Sequence, residues 1–427
     1  MRFITLDDYT RAVLKGDTMA QAFRNSDLIY DWNALKAPKQ PKKIEFNDET
    51  LRDGLQSPSI TDPPIEQKIH ALHLMAELGI PAANIGMPTG PRAKEDAIVL
   101  AKEIAKHKLN IRPNCAARTA VPDVTAVIDV SQAAGIPVEA STFLGASGIR
   151  KLAEGWDLDL MRKHTETAVK LAIQHKLPVM FVTEDTTRAH PQTLKKLYRT
   201  ALECGAYRLT LADTVGHATP RGVKNLIKFI KTAVIKGYKK VQVDWHGHND
   251  RGLALANSIA AFEAGADCVH GTILGIGERV GNTALDQLLV NLKLLGWIEN
   301  DLRKLPEYVE LVARYCNGPL PFNYPVMGRD AFRTSTGVHA AAIVKAKQKG
   351  DDFLANRIYS GVASDLFGRT QEIEIGPASG HHNVEFWLHS RGIKPTPQLI
   401  EAIGARAKQS RTVLTEDELQ RIVETAT

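Results

Sequence analysis

The chain has 427 residues, of which 44% are hydrophobic, so it is long enough to bury one large core or several average ones. It carries 54 Lys and Arg against 48 Asp and Glu. This net charge of +6 is spread out, with no basic stripe interleaved with aromatics, which disfavours a nucleic-acid-binding protein. Four well-separated cysteines without a CxxC pair argue against a disulfide framework and against a zinc knuckle.

The first 42 residues are predicted to form an extension that leads into the Pro/Lys-rich linker "KAPKQPKK". The start of this segment contains acidic residues and lacks the apolar stretch of a secretory signal. No run of about 18 apolar residues occurs in the chain, so no membrane span is predicted. We therefore expect a cytoplasmic protein that has neither a membrane nor a nucleic acid as its partner.

Short apolar runs alternate with amphipathic segments over residues 43–299. The eight runs begin at Lys43, Ala82, Asn110, Pro137, Pro178, Tyr207, Lys240 and Ala266. Several of the intervening segments close on a glycine, as a helix does before a strand; these are Gly79, Gly135, Gly205 and Gly265. Eight strand–helix units of roughly 30 residues predict an α/β fold, a (β/α)8 TIM barrel. A doubly wound open sheet is the alternative, but the loop after the first run, "NDETLRDGLQ", is not its GxGxxG fingerprint.

The alternation of apolar runs and amphipathic segments ends at about residue 300. The segments "LRKLPEYVELVARYCNG" and "TPQLIEAIGARAKQS" are helical in pattern, and a Gly-rich stretch lies between them. We predict a C-terminal, mostly helical accessory region over residues 300–427.

Polar side chains follow the predicted strands, on the loops where a TIM barrel places its chemistry. They are Arg52, Asp53 and Gln56 after the first strand, Glu184 and Asp185 after the fifth, Asp213 and Thr214 after the sixth, His246 and His248 at the end of the seventh, and Glu278 and Asn282 after the eighth. We take Gln56, Thr214 and Glu278 as candidate substrate-binding residues. Structural roles are the alternatives: an ion pair for Arg52, a helix cap for Glu184, and a turn for Thr214.

The two histidines of "HGHND" are predicted to bind a divalent metal. Alternate residues of a strand point the same way, so His246 and His248 aim at one point. Closure of the barrel makes the first, seventh and eighth strands neighbours, which brings Asp53 and Asn282 into the same layer. Two imidazoles with oxygen ligands suit Zn, Mn, Mg or Co. Surface or hydrogen-bonded histidines are the alternative interpretation.

The loop "GIGERVGN" contains three glycines, Gly275, Gly277 and Gly281. It could cradle a phosphate, or it could be a loop that needs positive φ angles.

Together, "NDETLRDGLQ", "HGHNDRGLALAN" and "GTILGIGERVGN" resemble the acyl-CoA Claisen-condensing metalloenzymes built on a TIM barrel. This family includes the isopropylmalate, homocitrate and citramalate synthases and the 3-hydroxy-3-methylglutaryl-CoA lyases. The resemblance runs from about residue 43 to residue 392. It is greatest to the 2-isopropylmalate synthases, because "HxHND" and "GERxGN" look like the synthase forms.

The resemblance implies roles for particular residues. Asp53, His246, His248 and Asn282 match the metal ligands, while Arg52 and the strand-five carboxylate Glu184 match catalytic residues. Thr214 matches the residue that holds the carboxylate of the oxo acid. In the accessory region, "RTSTGVHAAA" and "IYSGVASDLFGR" point to His339 and Tyr359, two catalytic residues that reach the partner's active site in such enzymes. A homodimer with shared active sites is implied.

The implied reaction joins acetyl-CoA to a 2-oxo acid, with 2-oxoisovalerate as the expected substrate and leucine biosynthesis as the expected pathway. Homocitrate or citramalate synthesis, a carbon–carbon lyase and a non-catalytic binding protein are the alternatives. Two departures bear on the choice: "DGLQ" stands where synthases commonly have "DGEQ", and "GVHAAA" lacks the Gln of "GVHQ". The C-terminal regulatory domain of leucine-inhibited synthases is not expected here, and we therefore expect no inhibition by leucine.

Overall fold

The computed structural model describes residues 29–30, 32–34 and 40–426. Nearly all of the predicted N-terminal extension, residues 1–42, therefore lies outside the described residues. The chain divides into two compact units: one covers Pro38–Pro319, and Leu320–Thr427 belongs to the other.

Eight parallel strands close into a barrel in the order of the sequence, and β1 pairs with both β2 and β8. The strands are β1 Glu45–Asp48, β2 Ala82–Asn84, β3 Arg112–Arg118, β4 Glu139–Gly145, β5 Val179–Glu184, β6 Arg208–Asp213, β7 Gln242–Gly247 and β8 Cys268–Gly271. Each strand starts within two residues of the start of a predicted run. The predicted TIM barrel is thus confirmed, and the open sheet is excluded.

Helices connect the strands and cover the barrel. They are α1 Ile65–Glu77, α2 Pro91–His107, α3 Val121–Ala134, α4 Gly148–Glu154, α5 Leu158–Gln174, α6 Pro191–Glu203, α7 Pro220–Phe229, α8 Ala254–Glu263, α9 Leu285–Leu294 and α10 Leu305–Tyr315. The four glycines predicted to end helices all have positive φ angles, between 70° at Gly79 and 111° at Gly205. Short 3-10 turns follow β1, β5 and β8 at Gly54–Gln56, Thr186–Arg188 and Ile273–Gly275.

The interior of the barrel is filled by polar side chains, whereas TIM barrels usually fill it with branched apolar residues. Strand alternation explains the difference. In β1, Phe46 faces the helices and contacts the ring of Phe262 on α8, while its neighbour Asn47 faces inward and accepts a hydrogen bond of 2.6 Å from Asn114. The inward positions therefore hold polar groups, several of which hydrogen-bond to one another, and the apolar core lies between the strands and the helices.

Helix α10 belongs to the barrel unit. The hydroxyl of Tyr308 on this helix donates a 3.0 Å hydrogen bond to the buried carboxyl group of Asp48 at the end of β1. The division between units consequently falls after Pro319, later than residue 299, where the sequence pattern placed the end of the barrel domain.

The C-terminal unit is mostly helical, with one two-stranded parallel sheet. Its elements are β9 Arg333–Thr334, α11 Gly337–Gln348, α12 Asp352–Ala355, β10 Glu372–Ile373, α13 His381–Ser390, α14 Pro397–Gln409 and α15 Glu416–Ala426. A buried apolar cluster centred on Trp387, Leu388 and Ile403 packs the last three helices together. Among the described helices of the whole chain, none has the length and apolarity needed to cross a membrane.

Asp48→Asn is expected to remove a pH-dependent loss of stability. Burial raises the pKa of the Asp48 carboxyl to about 6, although Thr50 and Tyr308 donate hydrogen bonds to it. The folded chain therefore holds this proton more tightly than the unfolded chain, and the free energy of unfolding falls as the pH rises through about 6. Between pH 5 and pH 8 this group should lower it by about 1 kcal/mol, and the Asn variant should lack that part of the fall.

Urea titrations at the two pH values measure the difference. Tyr308→Phe is the matched control, because it removes the hydrogen-bond donor but keeps the carboxyl group, and it should retain the pH dependence. An equal fall in Asp48→Asn and in the wild-type protein would show that Asp48 is not the responsible group.

Candidate active site

A cavity of about 220 Å³ opens at the carboxyl ends of the barrel strands. Eight residues singled out from the sequence line it: Arg52, Asp53, Gln56, Glu184, Thr214, His246, His248 and Glu278. The loops after β1, β5, β6, β7 and β8 supply these side chains, so residues far apart in the sequence share one site.

Three donor atoms converge on one point at the base of this cavity. The Nε2 atom of His246 lies 3.0 Å from Oδ2 of Asp53, and Nε2 of His248 lies 3.6 Å from the same oxygen. The two imidazole nitrogens are 3.3 Å apart. Ligands bound at about 2.1 Å to one metal ion are separated by roughly 3 to 3.5 Å, so the three distances match the edges of a coordination polyhedron.

Asn282 stands beside this triad, since it forms a bridge in the backbone with His248. Its Nδ2 donates to the carbonyl of Ile276, and its Oδ1 is buried without a hydrogen-bond partner among the described residues. A buried amide oxygen left unpaired is unfavourable unless something fills its place. Asp53, His246 and His248 therefore fit a divalent cation in donor type and in spacing, and the unpaired amide oxygen of Asn282 fits it in donor type.

The charge states of the triad suit the same ion. Burial, together with the neighbouring His246, lowers the pKa of His248 to about 4, so its imidazole is neutral and able to bind metal at neutral pH. Burial alone would raise the pKa of Asp53, but Arg52 and the two histidines outweigh this and hold it well below its usual range. Asp53 is consequently an anion.

The loop after β8 folds back on itself, and its three glycines do not line the cavity, although Glu278 of the same loop does. Asn282 donates its backbone N–H to the carbonyl of Gly275 at 2.9 Å, and Gly281 has a φ of 86°. A Cβ at residue 281 would overlap the carbonyl oxygen of Gly275. These glycines are therefore explained by a loop that requires positive φ angles. The folded loop holds Asn282 beside the triad.

Arg52 occupies the wall next to the triad. Its Nε donates a 2.9 Å hydrogen bond to Oε2 of Glu49, and its Nη1 lies 3.6 Å from Oδ2 of Asp53. The structural ion pair that was the alternative interpretation of Arg52 is present, because Arg52 pairs with Glu49. Arg52 also lines the cavity, so the ion pair is only part of its role.

Two ionisable residues of the cavity were missed by the sequence pattern, Glu49 and His270. His270 lies inside β8, and its two ring nitrogens face carboxylates: Nδ1 is 3.2 Å from Glu49, and Nε2 is 3.1 Å from Asp244. Burial alone would lower the pKa of His270, but these hydrogen bonds raise it well above its ordinary value. The available signal was the alternation Asn47, Glu49 in β1, which places a carboxylate on the inner face.

Glu184 and Thr214 lie on the opposite side of the cavity. Burial raises the pKa of Glu184 despite the opposing charges of Arg150 and Arg52, so this carboxyl group is closer to taking up a proton than an exposed one. The hydroxyl of Thr214 accepts a 2.8 Å hydrogen bond from the backbone N–H of Asp185, which leaves its own proton for another acceptor. Gln56 and Glu278 are exposed at the mouth.

Two neighbouring acids have structural roles. Asp185, which has a φ of 56°, binds the guanidinium of Arg188, and its side chain makes no helix-cap hydrogen bond. Asp213 accepts hydrogen bonds from the side chain of Thr187 and from the backbone of His217 and Ala218, as expected of a turn-forming residue.

His339 and Tyr359 lie in the C-terminal unit. Both side chains are exposed, and their rings stack at a centroid distance of 4.1 Å and an interplanar angle of 27°. His339 and Tyr359, both predicted from the sequence, are therefore in contact with each other.

Known proteins resemble the chain over most of its length. A family model described as HMGL-like matches residues 43–312. The homocitrate synthase AksA of Methanopyrus kandleri is 33% identical over 402 residues, which cover 92% of this chain and 95% of that protein. The 2-isopropylmalate synthase of Methanocaldococcus jannaschii is 30% identical over 412 residues, which cover 92% of this chain and 73% of that protein.

Among solved structures, hydroxymethylglutaryl-CoA lyase from Pseudomonas aeruginosa superimposes with a TM-score of 0.55 at 19% identity, covering 69% of this chain and 97% of the lyase. That likeness concerns the fold alone. The family model covers the whole barrel, and the two synthases cover nearly the whole chain. The chain therefore belongs to the HMGL-like family and is an enzyme of the Claisen-condensing acyltransferase group, which contains the 2-isopropylmalate and homocitrate synthases.

Proposed function

We propose that this enzyme condenses acetyl-CoA with 2-oxoisovalerate, and that water then hydrolyses the thioester of the product to give 2-isopropylmalate and CoA. The relatives carry the names of different synthases, so the choice of oxo acid is argued from the cavity. Its wall from β2 to β6 includes five apolar side chains, Met87, Ala116, Phe143, Val182 and Ala212, beside the hydroxyl groups of Ser141 and Thr210 and the carboxyl group of Glu184. Among the described residues that line the cavity, Arg52 is the sole Lys or Arg, and it is already paired with Glu49.

This wall is the observation that carries the proposal. A branched aliphatic side chain gains free energy by leaving water for such a surface, at about 25 cal/mol per Å². A second carboxylate, as in 2-oxoglutarate, would be buried there without a cation to pair with it, which is unfavourable by several kcal/mol, on the order of the desolvation penalty of an ion.

Asp53, His246, His248 and Asn282 are proposed to hold a divalent cation, which would supply Lewis-acid polarisation of the ketone when bound. Arg52 donates to oxygens on which negative charge develops. The hydroxyl of Thr214 donates to the carboxylate of the oxo acid. Gln56 and Glu278 contact the substrates at the mouth.

Glu184 is proposed to assist removal of the methyl proton of acetyl-CoA, because its raised pKa brings it closer to proton exchange at neutral pH. The stacked pair His339–Tyr359 is proposed to supply the base itself, from the partner subunit of a homodimer. Two exposed aromatic rings stacked on each other form a surface that a second copy would cover. The cytoplasmic location stays a prediction.

The proposed activity is tested by release of free CoA thiol from acetyl-CoA with 2-oxoisovalerate, pyruvate, 2-oxoglutarate and glyoxylate in turn. We expect 2-oxoisovalerate to give the highest kcat/KM, by at least about 10-fold, since each buried methylene is worth roughly 1 to 3 kcal/mol in an apolar site. Preference for 2-oxoglutarate would contradict the role given to the wall. Thiol release with none of them, together with cleavage of a hydroxyacyl-CoA, would identify a lyase instead.

The metal assignment predicts a contrast between two variants. His246→Ala should lose both bound metal and turnover, because it removes one donor of the triad. Arg52→Lys should keep the metal and lower kcat about 100-fold, because a lysine cannot reproduce the fixed donor geometry of the guanidinium.

Metal content by elemental analysis and thiol release measure the two effects separately. His217→Ala is the control, since this exposed histidine lies outside the cavity lining and should leave both values near those of the wild-type protein. Full metal content in His246→Ala, or near-normal turnover in Arg52→Lys, would remove the role given to that residue.

Thr214→Val should raise KM for the oxo acid about 10-fold or more, because it deletes the hydroxyl proposed to hold the carboxylate. It should leave KM for acetyl-CoA close to the wild-type value. Thr214→Ser keeps the hydroxyl and should restore the affinity. If Thr214→Val changed both KM values equally, the residue would be supporting the loop through Asp185 and not binding the oxo acid.

A further inference from the structure

We propose that Glu49, fixed by His270 and Asp244, is the positioning residue that aims the Arg52 guanidinium into the cavity. The inference rests on the role of Arg52 in the proposed function and adds three residues to it. None of these three residues, Glu49, His270 and Asp244, belongs to the metal triad.

The first step is the contact between Glu49 and Arg52. Both Nε and Nη2 of Arg52 donate to Oε2 of Glu49, with the Nε hydrogen bond at 2.9 Å. The remaining Nη1 points past this pair, 3.5 Å from Oε1 of Gln56 and 3.6 Å from Oδ2 of Asp53. One side of the guanidinium is therefore held by Glu49, and the other side is left for the cavity.

Glu49 also keeps Arg52 away from the metal triad. A guanidinium forms its strongest pairs by donating two parallel hydrogen bonds to one carboxylate. Asp53 is the nearest alternative carboxylate, and a paired Asp53 would be a poorer metal ligand. Because Glu49 takes the Nε side, Arg52 approaches Asp53 with a single nitrogen at 3.6 Å.

The second step is what fixes Glu49. Its Oε1 accepts a 2.6 Å hydrogen bond from Nδ2 of Asn47 and lies 3.2 Å from Nδ1 of His270, so the two carboxylate oxygens have separate partners. With its side chain 2% exposed, Glu49 cannot turn to solvent. Its carboxylate plane is set by these contacts.

The third step is what fixes His270. Nε2 of His270 lies 3.1 Å from Oδ2 of Asp244, and the same oxygen lies 3.3 Å from Nε of Arg208. Arg208 has no exposed side-chain surface and is also bound to Glu139 at 3.1 Å. The series Arg208–Asp244–His270–Glu49–Arg52 thus ends at a fully buried anchor.

A metal ion within this series is the competing interpretation, since Glu49, His246 and His270, and likewise Asp244, Cys268 and His270, bring ligand atoms within 4.8 Å of one another. The contacts favour hydrogen bonds. Both nitrogens of His270 already face carboxylate oxygens, and Arg208 supplies positive charge to Asp244. An added cation would have to displace these partners.

Glu49→Gln tests the proposal. The amide keeps the size of the side chain but loses the charge that holds the guanidinium, so we expect kcat to fall about 10- to 100-fold, as a misplaced catalytic group does. KM for the oxo acid and the metal content should stay within about twofold of wild type. Asp48→Asn is the matched control: it changes a neighbouring buried acid that faces the helices, and kcat should stay close to wild type.

A double-variant cycle separates positioning from mere folding support. If Glu49 acts only through Arg52, Glu49→Gln should cause little further loss of kcat in an Arg52→Lys background. Multiplicative losses in the double variant, or an unchanged kcat in Glu49→Gln, would overturn the proposal. If Glu49→Gln does not fold, His270→Gln is combined with Arg52→Lys in the same cycle and is judged by the same criterion.

Failure of the proposed function gives a different result. Near-normal turnover in Arg52→Lys alone would remove the catalytic role of Arg52, whereas a large loss in Arg52→Lys with none in Glu49→Gln removes only the positioning role. Bound metal in Glu49→Gln and in His270→Gln, measured by elemental analysis, provides the readout that does not depend on activity. Loss of the metal in both variants would assign these residues to the metal site and contradict the positioning role.

Discussion

A buried charge must be paired, and this requirement organises the interior of the barrel. Arg208 has no exposed side-chain surface, and its guanidinium is surrounded by the carboxylates of Asp244, Glu139 and Glu45. Removing one partner of such a group leaves an uncompensated ion in a medium of low dielectric constant, which is unfavourable by about 3 to 5 kcal/mol. The side chains of the inner face therefore depend on one another.

This arrangement extends to the mouth of the barrel, where the chemistry lies. Asp53 is an anion beside two histidines, Glu49 holds Arg52, and His270 is shared between two carboxylates. Along the series Arg208–Asp244–His270–Glu49–Arg52, basic and acidic groups alternate, so each member of the series lies beside a group of opposite type. Donor atoms that are held in place before a cation or substrate arrives need little reorganisation when it binds.

The barrel could be predicted from the sequence because each strand–helix unit carries local signals: an apolar run, an amphipathic segment and a glycine with positive φ. The convergence of His246 and His248 could also be predicted, because residues two apart on a strand share a face. The pairing of Glu49 with His270 could not be found this way. Their roles depend on the register between β1 and β8, which pairs Glu45 with Cys268 and so sets His270 near the end of β1. A histidine inside a strand otherwise looks like a core residue.

The mouth of the barrel is divided between two arcs of strands. The metal donors, Arg52 and Glu49 follow β7, β8 and β1, whereas the apolar wall comes from β2 to β6. Side chains of the first arc are tied into hydrogen-bonded series, so one change there disturbs several neighbours. The second arc holds apolar side chains such as Met87 and Val182, together with Glu184 and Thr214. Selectivity for a different oxo acid can therefore evolve, or be engineered, by exchanging the apolar residues of the second arc while Glu184, Thr214 and the residues of the first arc are kept.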